Sequence, residues 1–206
     1  GMILCNDATS TKESKTGDPT EIALVDAGNN LNLLKEDLNN LHPRVMEVPF
    51  DSDRKLMTTV NKYDESFKVI TKGAIDNILN ISSHILVNGE TIVFTEDLKN
   101  QVLDFSNQIS SEALRVLALS YKEISTLSDE ALEDNLTFVG FVGMIDPPRP
   151  KAKAAVTVCK EAGIKPIMIT GDHVVTATAI AKQLGIYVAG DKAITGAELD
   201  EMSDRE

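Results

Sequence analysis

Three β-prone runs separated by short polar links, between residues 45 and 75, constrain this chain more than any other stretch. The runs are 45–50, 55–60 and 67–71, and the links are 51–54 and 61–66. Strands joined by such short links pair most simply with their sequence neighbours, in antiparallel order. A short helix at 74–80 is predicted to follow. The stretch therefore predicts a three-stranded antiparallel meander followed by a helix.

On such a meander the side chains of Phe50, Lys55 and Lys72 can converge. An aromatic face with two ammonium groups suits a base that carries phosphates. Stacking on an aromatic side chain contributes about 1–3 kcal/mol per base, and lysine binds phosphate as a point charge. A core phenylalanine with two solvated lysines would give the same pattern, and the spacing alone does not separate these two interpretations.

Composition narrows the choice of partner. A length of 206 residues allows one large domain or two small ones. The net charge of −12 argues against nucleic acid or an anionic membrane surface as the main partner. Any phosphate ligand must therefore meet a local group of Lys and Arg, helped by a divalent cation. Cys5 and Cys159 are far apart, without metal-type spacing, and are typical of reduced cytosolic thiols.

The segment before the meander predicts two helices. Asp18 is the expected N-cap of the first, Pro19 fits its first position, and Glu21 falls at the reciprocal capping-box position. Residues 28–30 should end this helix, and a second helix is predicted over 31–41.

The segment after the meander predicts a hairpin and two longer strands. The hairpin covers 85–94 with Asn88-Gly89 at its turn, and Thr95 is the expected cap of a following helix. Residues 115–123 and 137–145 are β-prone, and the second run is apolar enough for the centre of a sheet. Up to this point the pattern predicts an α+β domain with an antiparallel sheet flanked by helices.

A proline-rich link at 146–150 marks a change of pattern and a predicted domain boundary. Beyond it we expect an α/β segment in which a strand ends in Thr-Gly-Asp at a helix N-terminus, a favourable place for phosphate. The expected order is a helix at 151–161, a stop at Gly163, a strand at 164–169, a loop at 170–173, a helix at 174–184 closed by Gly185, and a strand at 186–188.

Six motifs occur along the chain in a fixed order: Gly-Asp-Pro-Thr-Glu-Ile-Ala-Leu (17–24), Phe-Asp-Ser-Asp-Arg-Lys (50–55), Thr-Lys-Gly-Ala (71–74), Leu-Arg-Val-Leu-Ala (114–118), Gly-Met-Ile-Asp-Pro-Pro-Arg (143–149) and Ile-Thr-Gly-Asp-His (169–173). Together they resemble the cytosolic part of a P-type cation-transporting ATPase, most similar to the calcium-pump branch. The resemblance implies a nucleotide-binding domain over 1–145, lacking its first elements, and a hinge over 146–150. It implies a partial phosphorylation domain over 151–206, Rossmann-like and of the haloacid-dehalogenase type.

The resemblance also implies how ATP is bound. Phe50 would stack on adenine, Glu21 would accept a hydrogen bond from its amino group, and Arg115 would reach the phosphates. The remaining pocket residues implied are Lys55, Lys72 and Gly73. Ser52 departs from the family, where arginine often contacts phosphate at this position.

Further roles follow from the same resemblance. Thr170, Gly171 and Asp172 would meet the transferred phosphate and support Mg²⁺ in the complete protein. The implied hinge residues are Asp146, Pro147, Pro148 and Arg149.

The family's phosphorylated Asp-Lys-Thr-Gly-Thr run is absent from this sequence. We therefore expect the chain to bind ATP without hydrolysing it and to contain no catalytic or metal-ligating residue of its own. It would be part of a larger membrane protein, on the cytoplasmic side of the membrane. Its partners there would be the remaining phosphorylation, actuator and transmembrane domains. Residues 151–206 are expected to be loosely packed, partly disordered or paired with another copy.

Two alternatives stay open at this point. A soluble phosphatase of the haloacid-dehalogenase type would use Asp51 and Asp53 as its aspartate pair, with 170–172 as its next motif, although Lys55 stands where that motif needs Thr or Val. A non-catalytic nucleotide-binding module would need only the ATP pocket.

Overall fold

The structure is a computed structural model that describes residues 1–11, 13–111, 114–127, 131–145, 149–171 and 174–203. The chain divides into two compact units. The first contains Gly1–Asp104 and Val116–Met144, and the second contains Phe105–Arg115 and Ile145–Glu206.

Most strands and the first helices belong to the first unit. In chain order, the elements up to residue 145 are β1 (Thr9–Ser10), β2 (Lys15–Thr16), α1 (Pro19–Asn30), α2 (Lys35–Leu41), β3 (Arg44–Asp51), β4 (Leu56–Tyr63), β5 (Ser66–Gly73), α3 (Ile75–Asn80), β6 (Ser82–Val87), β7 (Glu90–Val93), α4 (Glu96–Ser111), β8 (Leu114–Ile124) and β9 (Leu136–Ile145).

The predicted meander is confirmed. Strand β4 lies antiparallel between β3 and β5, with Met57 opposite Lys72. The polar turn predicted at 61–66 is wrong at its start, because β4 continues through Tyr63. Asn61 is fully buried there. Its amide nitrogen donates to the His42 carbonyl at 2.9 Å and its amide oxygen accepts from Thr59 Oγ1 at 3.0 Å, so a polar side chain is tolerated inside the strand.

The wholly antiparallel sheet that the pattern predicts is wrong at one pair of strands. In the described part of the chain, seven strands form one sheet in the order β3-β4-β5-β8-β9-β6-β7. Strands β6 and β9 are parallel. The chain between them contains β7, α4 and β8, which is long enough for the crossover that parallel pairing requires. The sheet is therefore mixed, with β9 in its interior as expected.

Helix α1 begins as predicted and ends near the predicted stop. The Asp18 side chain accepts from the Thr20 N–H at 2.8 Å, and Pro19 is the first helical residue. The capping-box role of Glu21 is wrong, because its carboxylate accepts from the backbone N–H groups of Asp7 and Ala8 instead. Helix α2 begins at Lys35 rather than at residue 31. Asn32 has a φ of +59°, which interrupts helical continuation.

The predicted hairpin and helix cap are both present. Val87 pairs with Glu90 across the Asn88-Gly89 turn, whose φ values of 50° and 87° belong to a primed turn. Thr95 Oγ1 accepts a long hydrogen bond of 3.4 Å from the Leu98 N–H at the start of α4.

Apolar side chains pack on both faces of the sheet. One cluster joins Leu4 and Cys5 to Met57 and Ile70. A second cluster contains Val60, Val69 and Leu132. A third cluster includes Leu56 and two residues of α3, and partly buried side chains of α4 pack against it. Its buried members besides Leu56 are Ile78, Leu79, Ile85, Phe94, Ala118 and Phe138.

Beyond residue 145, the regular elements of the second unit in the described residues are helices. Its further helices are α5 (Pro150–Glu161), α6 (Val174–Leu184) and α7 (Gly196–Glu201). Gly163 and Gly185, the predicted helix stops, have φ values of 77° and 76°. Sequence reasoning missed α7, although Thr195 and Glu198 at its start form a capping box that the Thr-x-x-Glu spacing signals.

The strands predicted at 164–169 and 186–188 are wrong. Both segments are irregular, and Ile167 and Ile169 are 77% and 94% exposed. A strand needs a neighbour for its backbone hydrogen bonds, and the described residues supply none to these two segments. The α/β segment is therefore not confirmed.

Candidate functional site

The first three candidate positions lie at one end of the meander. Asp51 pairs with Leu56, and Leu56 pairs with Gly73, so one rung of the sheet crosses β3, β4 and β5. Phe50, Lys55 and Lys72 are each the immediate neighbour of a residue on this rung. Adjacent strands are about 4.8 Å apart, so β3 and β5 are separated here by about 10 Å. Phe50 is 63% exposed.

Lys72 forms a largely buried ion pair with Glu21. Lys72 Nζ lies 2.5 Å from Glu21 Oε1, and the two side chains are 7% and 16% exposed. The pair joins the end of β5 to the first turn of α1. It places a carboxylate and an ammonium on the sheet face that also carries Met57 and Cys5.

The other oxygen of Glu21 is held by the N-terminal segment. Glu21 Oε2 accepts from the Asp7 N–H at 3.0 Å and from the Ala8 N–H at 3.1 Å. The buried Asn6 donates to the Glu21 carbonyl at 3.0 Å and accepts from the Ala8 N–H at 2.8 Å. The orientation of the carboxylate is thus fixed by main-chain groups.

Two cations secure the same N-terminal segment. Lys35 Nζ donates to the carbonyls of Asn6 and Ala8, both at 2.6 Å, and Arg44 donates to the carbonyls of Leu4 and Asn6. Burial, followed by the positive charge of Arg44, lowers the pKa of Lys35. Asn6, Lys35 and Arg44 line an open cleft of about 360 Å³ together with Asp7, Asn39 and Pro43.

Cys5 is fully buried in the apolar cluster with Met57 and Ile70. Its Sγ donates to the Met57 carbonyl at 3.3 Å. Burial raises the pKa of the Cys5 thiol, although the positive charge of Lys72 acts in the opposite direction.

The turn between β3 and β4 is capped by Asp51. Its Oδ1 accepts from the N–H groups of Asp53 at 3.0 Å and Arg54 at 2.8 Å. The hydrogen bond from the Arg54 N–H is the main cause of the lowered pKa of Asp51. This capping role, on an antiparallel strand at the edge of the sheet, gives no support to Asp51 and Asp53 as a phosphatase pair. Ser52 is exposed in the same turn.

Lys55 ends the turn with an exposed side chain and a φ of +55°. Its carbonyl accepts from the Ala74 N–H at 3.1 Å. A Cβ atom at Gly73 would overlap this carbonyl oxygen. Glycine at position 73 therefore has a structural reason that is independent of any ligand.

Sequence reasoning missed the ion pair between Arg54 and Glu133. Arg54 Nη1 donates to both carboxylate oxygens of Glu133, at 2.6 and 2.5 Å. The hydrogen bond to Glu133 raises the pKa of Arg54. No local spacing signals this contact, because the two residues are 79 positions apart.

The remaining candidate residues belong to the second unit or lie outside the described residues. Arg115 is exposed on β8, and Thr170 and Gly171 are exposed in an irregular segment. Arg149 is the residue that precedes α5. The candidates outside the described residues are Asp146, Pro147, Pro148 and Asp172.

Within the part of the chain that the structure describes, no group of three or more His, Cys, Asp or Glu side chains could hold a metal ion. No described helix combines the length and apolar character needed to cross a membrane.

Comparisons with known proteins agree on one family. A family model described as P-type ATPase, cytoplasmic domain N, matches residues 1–151. Calcium-transporting ATPase 1 of Bacillus cereus is 53% identical over 207 residues, which cover 100% of this chain and 23% of that protein. Calcium-transporting ATPase 1 of Lactococcus lactis is 41% identical, over 100% of this chain and 24% of that protein. Calcium-transporting ATPase 1 of Saccharomyces cerevisiae is 40% identical, over 98% and 22%. The chain thus spans about a quarter of the length of these curated relatives.

Proposed function

This chain belongs to the P-type ATPase family, and we propose that its residues 1–145 bind ATP for a membrane pump that transports cations, with calcium as the cargo. In that pump, ATP hydrolysis would proceed through an aspartyl phosphate in the Asp-Lys-Thr-Gly-Thr run, which this sequence does not contain. The chain alone binds nucleotide without turning it over. Its partners are ATP and the pump's remaining phosphorylation, actuator and transmembrane domains, and it lies on the cytoplasmic side of the membrane.

The observation that supports nucleotide binding most strongly is the shared end of the meander. An exposed aromatic ring, Phe50, stands about two strand spacings from the buried pair of Lys72 and Glu21. A base stacked on the ring would direct its polar edge toward groups that are already oriented. The pocket would therefore need little rearrangement to accept adenine.

Glu21 retains capacity for one more hydrogen bond. A carboxylate offers about four lone-pair sites, and three are used by Lys72, Asp7 and Ala8. The remaining site suits the exocyclic amino group of adenine. Lys72 and Gly73 would line the back of this pocket.

The phosphates would extend away from the base toward cations. Lys55 is exposed beside the rung and suits the α-phosphate side, and we assign Arg115 to the distal phosphates. Mg²⁺ would arrive with the triphosphate. In the complete pump, Thr170, Gly171 and Asp172 would contact the transferred phosphate, and 146–149 would be the hinge between the two domains.

Titration of the chain with ATP, followed by calorimetry or NMR shift mapping, tests the proposal. Phe50→Ala should weaken binding by 1–3 kcal/mol, or about 5- to 150-fold. Phe105→Ala is the matched control, because Phe105 is 57% exposed and lies on α4. It should leave the affinity unchanged. Wild-type affinity in Phe50→Ala would remove Phe50 from the site, and no binding by the wild-type chain would refute the proposed function.

Nucleotides with different numbers of phosphates distinguish residues that contact the base from residues that contact the phosphates. Glu21→Gln should weaken ATP, ADP and AMP alike, whereas Arg115→Ala should weaken ATP more than AMP. An equal loss for AMP and ATP in Arg115→Ala would contradict the assignment of Arg115 to phosphate.

A further inference from the structure

The turn that follows Phe50 is anchored from outside the meander. Arg54, within this turn, contacts the carboxylate of Glu133 through Nη1 and donates from Nη2 to the Pro49 carbonyl at 2.8 Å. One guanidinium thus connects the residue before Phe50 to Glu133, which lies 79 positions beyond Arg54 along the chain.

The β3–β4 ladder is irregular at the point where Phe50 lies. Regular pairing stops at Val48 and resumes at Asp51, with a register shift between them. An irregularity of this kind redirects side chains and leaves backbone groups without ladder partners. The Arg54 bond to the Pro49 carbonyl supplies a partner in this gap. Arg54 therefore restrains the backbone on the N-terminal side of Phe50, and the Asp51–Leu56 pairing restrains it on the other side.

Glu133 is itself held rigidly. Its Oε1 accepts from Thr58 Oγ1 at 2.7 Å, and the Thr58 and Thr71 hydroxyl groups lie 2.9 Å apart. Both threonines are fully buried. The Glu133 side chain is 19% exposed and the Arg54 side chain is 34% exposed. The carboxylate is thus fixed directly to β4, and through Thr58 to β5, and can act as a stable anchor for the turn.

A second anchor holds the backbone of the same turn. The Arg54 carbonyl accepts from the Asn77 amide of α3 at 2.9 Å, and its N–H donates to Asp51 Oδ1. Phe50 is 63% exposed, so packing around its ring does little to hold it. Its position must come from the backbone on which it stands, which makes the anchors of that backbone decisive.

We propose that Glu133 is a positioning residue of the nucleotide site, which acts through Arg54 to hold Phe50 in place for stacking on the base. The inference rests on the proposed function, because it concerns the residue that would stack on adenine. Glu133 itself makes no contact with the nucleotide. It reduces the conformational freedom that Phe50 would otherwise lose on binding.

The central experiment is a double-mutant cycle on ATP affinity, measured by calorimetry. Glu133→Gln keeps the shape of the side chain and removes the charge that holds Arg54. It should weaken ATP binding about two- to tenfold, the cost of immobilising one side chain. In a Phe50→Ala background the same substitution should have no further effect, because the ring that it positions is gone. A purely structural role would weaken ATP binding in both backgrounds.

A spectroscopic signal checks the cause directly. In chains labelled with 4-fluorophenylalanine, the Phe50 resonance, assigned with Phe50→Leu, should broaden or shift in Glu133→Gln before any ATP is added. Glu123→Gln removes another ion pair of the same unit, with Lys68 at 3.2 Å, and should leave both this resonance and ATP affinity unchanged. Arg54→Lys is the second variant, because one ammonium cannot reproduce the contacts of the guanidinium, and it should reproduce the effects of Glu133→Gln.

The outcomes separate the two claims. ATP binding by the wild-type chain that Phe50→Ala weakens, together with unchanged affinity in Glu133→Gln and Arg54→Lys, would overturn the positioning role alone. Equal weakening by Glu133→Gln with and without Phe50 would also overturn it. A wild-type chain that does not bind ATP would refute the proposed function, and the positioning role with it.

Discussion

Gly73→Ala should destabilise the first unit, because the end of β5 has no room for a methyl group. A Cβ atom there would overlap the Lys55 carbonyl oxygen and lie 2.7 Å from Leu56 Cδ2 and 3.1 Å from Leu56 Cα. The Leu56 methyl group can rotate away. The Lys55 carbonyl is backbone and accepts from the Ala74 N–H, so one of the two chain segments must move.

The size of the effect follows from these contacts. Overpacking in a well-packed region costs about 1–3 kcal/mol, and a weakened hydrogen bond adds about 0.5–1.5 kcal/mol. We expect the free energy of unfolding to fall by about 3 kcal/mol. For a chain of this size, that corresponds to a decrease in Tm of about 6–12 °C. Urea and thermal unfolding, followed by circular dichroism without nucleotide, measure both quantities.

Gly89→Ala is the matched control for this experiment. Nothing lies within 4 Å of a Cβ atom at Gly89, whose φ is +87°, so this substitution introduces only backbone strain, about 1–2 kcal/mol. Gly73→Ala should therefore cost more than Gly89→Ala. Wild-type stability in Gly73→Ala would show that β5 and the Lys55 carbonyl do not approach as described. Because the loss is measured without nucleotide, it reports on the sheet and not on ligand binding.

Glu21→Met should lower the free energy of unfolding by about 3–5 kcal/mol and cost more than Lys72→Met. It leaves the ammonium of Lys72, whose side chain is 7% exposed, without its carboxylate, whereas in Lys72→Met the Glu21 carboxylate keeps two N–H donors. Urea unfolding of both variants checks this order, and the reverse order would contradict it. The hydrogen bond from the Arg54 N–H lowers the pKa of Asp51, so the ionised carboxylate stabilises the folded chain above its unfolded pKa of about 3.9. This stabilisation is lost as the pH falls through the lower folded pKa. Asp51→Asn should therefore reduce the acid dependence of stability between about pH 5 and pH 2, and an unchanged dependence would exclude the contribution of Asp51.

Local features of this protein could be predicted from the sequence. The meander follows from β-prone runs with short links, and the start of α1 follows from Asp18 and Pro19. The Asn88-Gly89 turn is equally local, because few residues adopt its positive φ values easily. Each of these depends on residues within a few positions of one another. The six motifs likewise indicate the family through their residues and their order along the chain alone.

Tertiary structure decided which partner each polar side chain takes. Glu21 stands at a capping-box position, yet its carboxylate binds Lys72, 51 residues away, and the backbone of Asp7 and Ala8. Arg54 and Glu133 form an ion pair that no spacing in the sequence indicates. A side chain at a helix start has several possible partners, and only the packing of distant segments determines which of them lies closest.

The wrong predictions about strands also arise from contacts between segments that are distant along the chain. Residues 164–169 are as apolar as a buried strand, yet they remain irregular, and the parallel pairing of β6 with β9 was not expected. Strand formation depends on hydrogen bonds to a neighbouring strand, which local residue preferences cannot supply. The sequence determines which segments are suited to form strands. The assembled sheet determines which of them find a neighbour, and in which direction, because backbone pairing is a contact between segments that are distant along the chain.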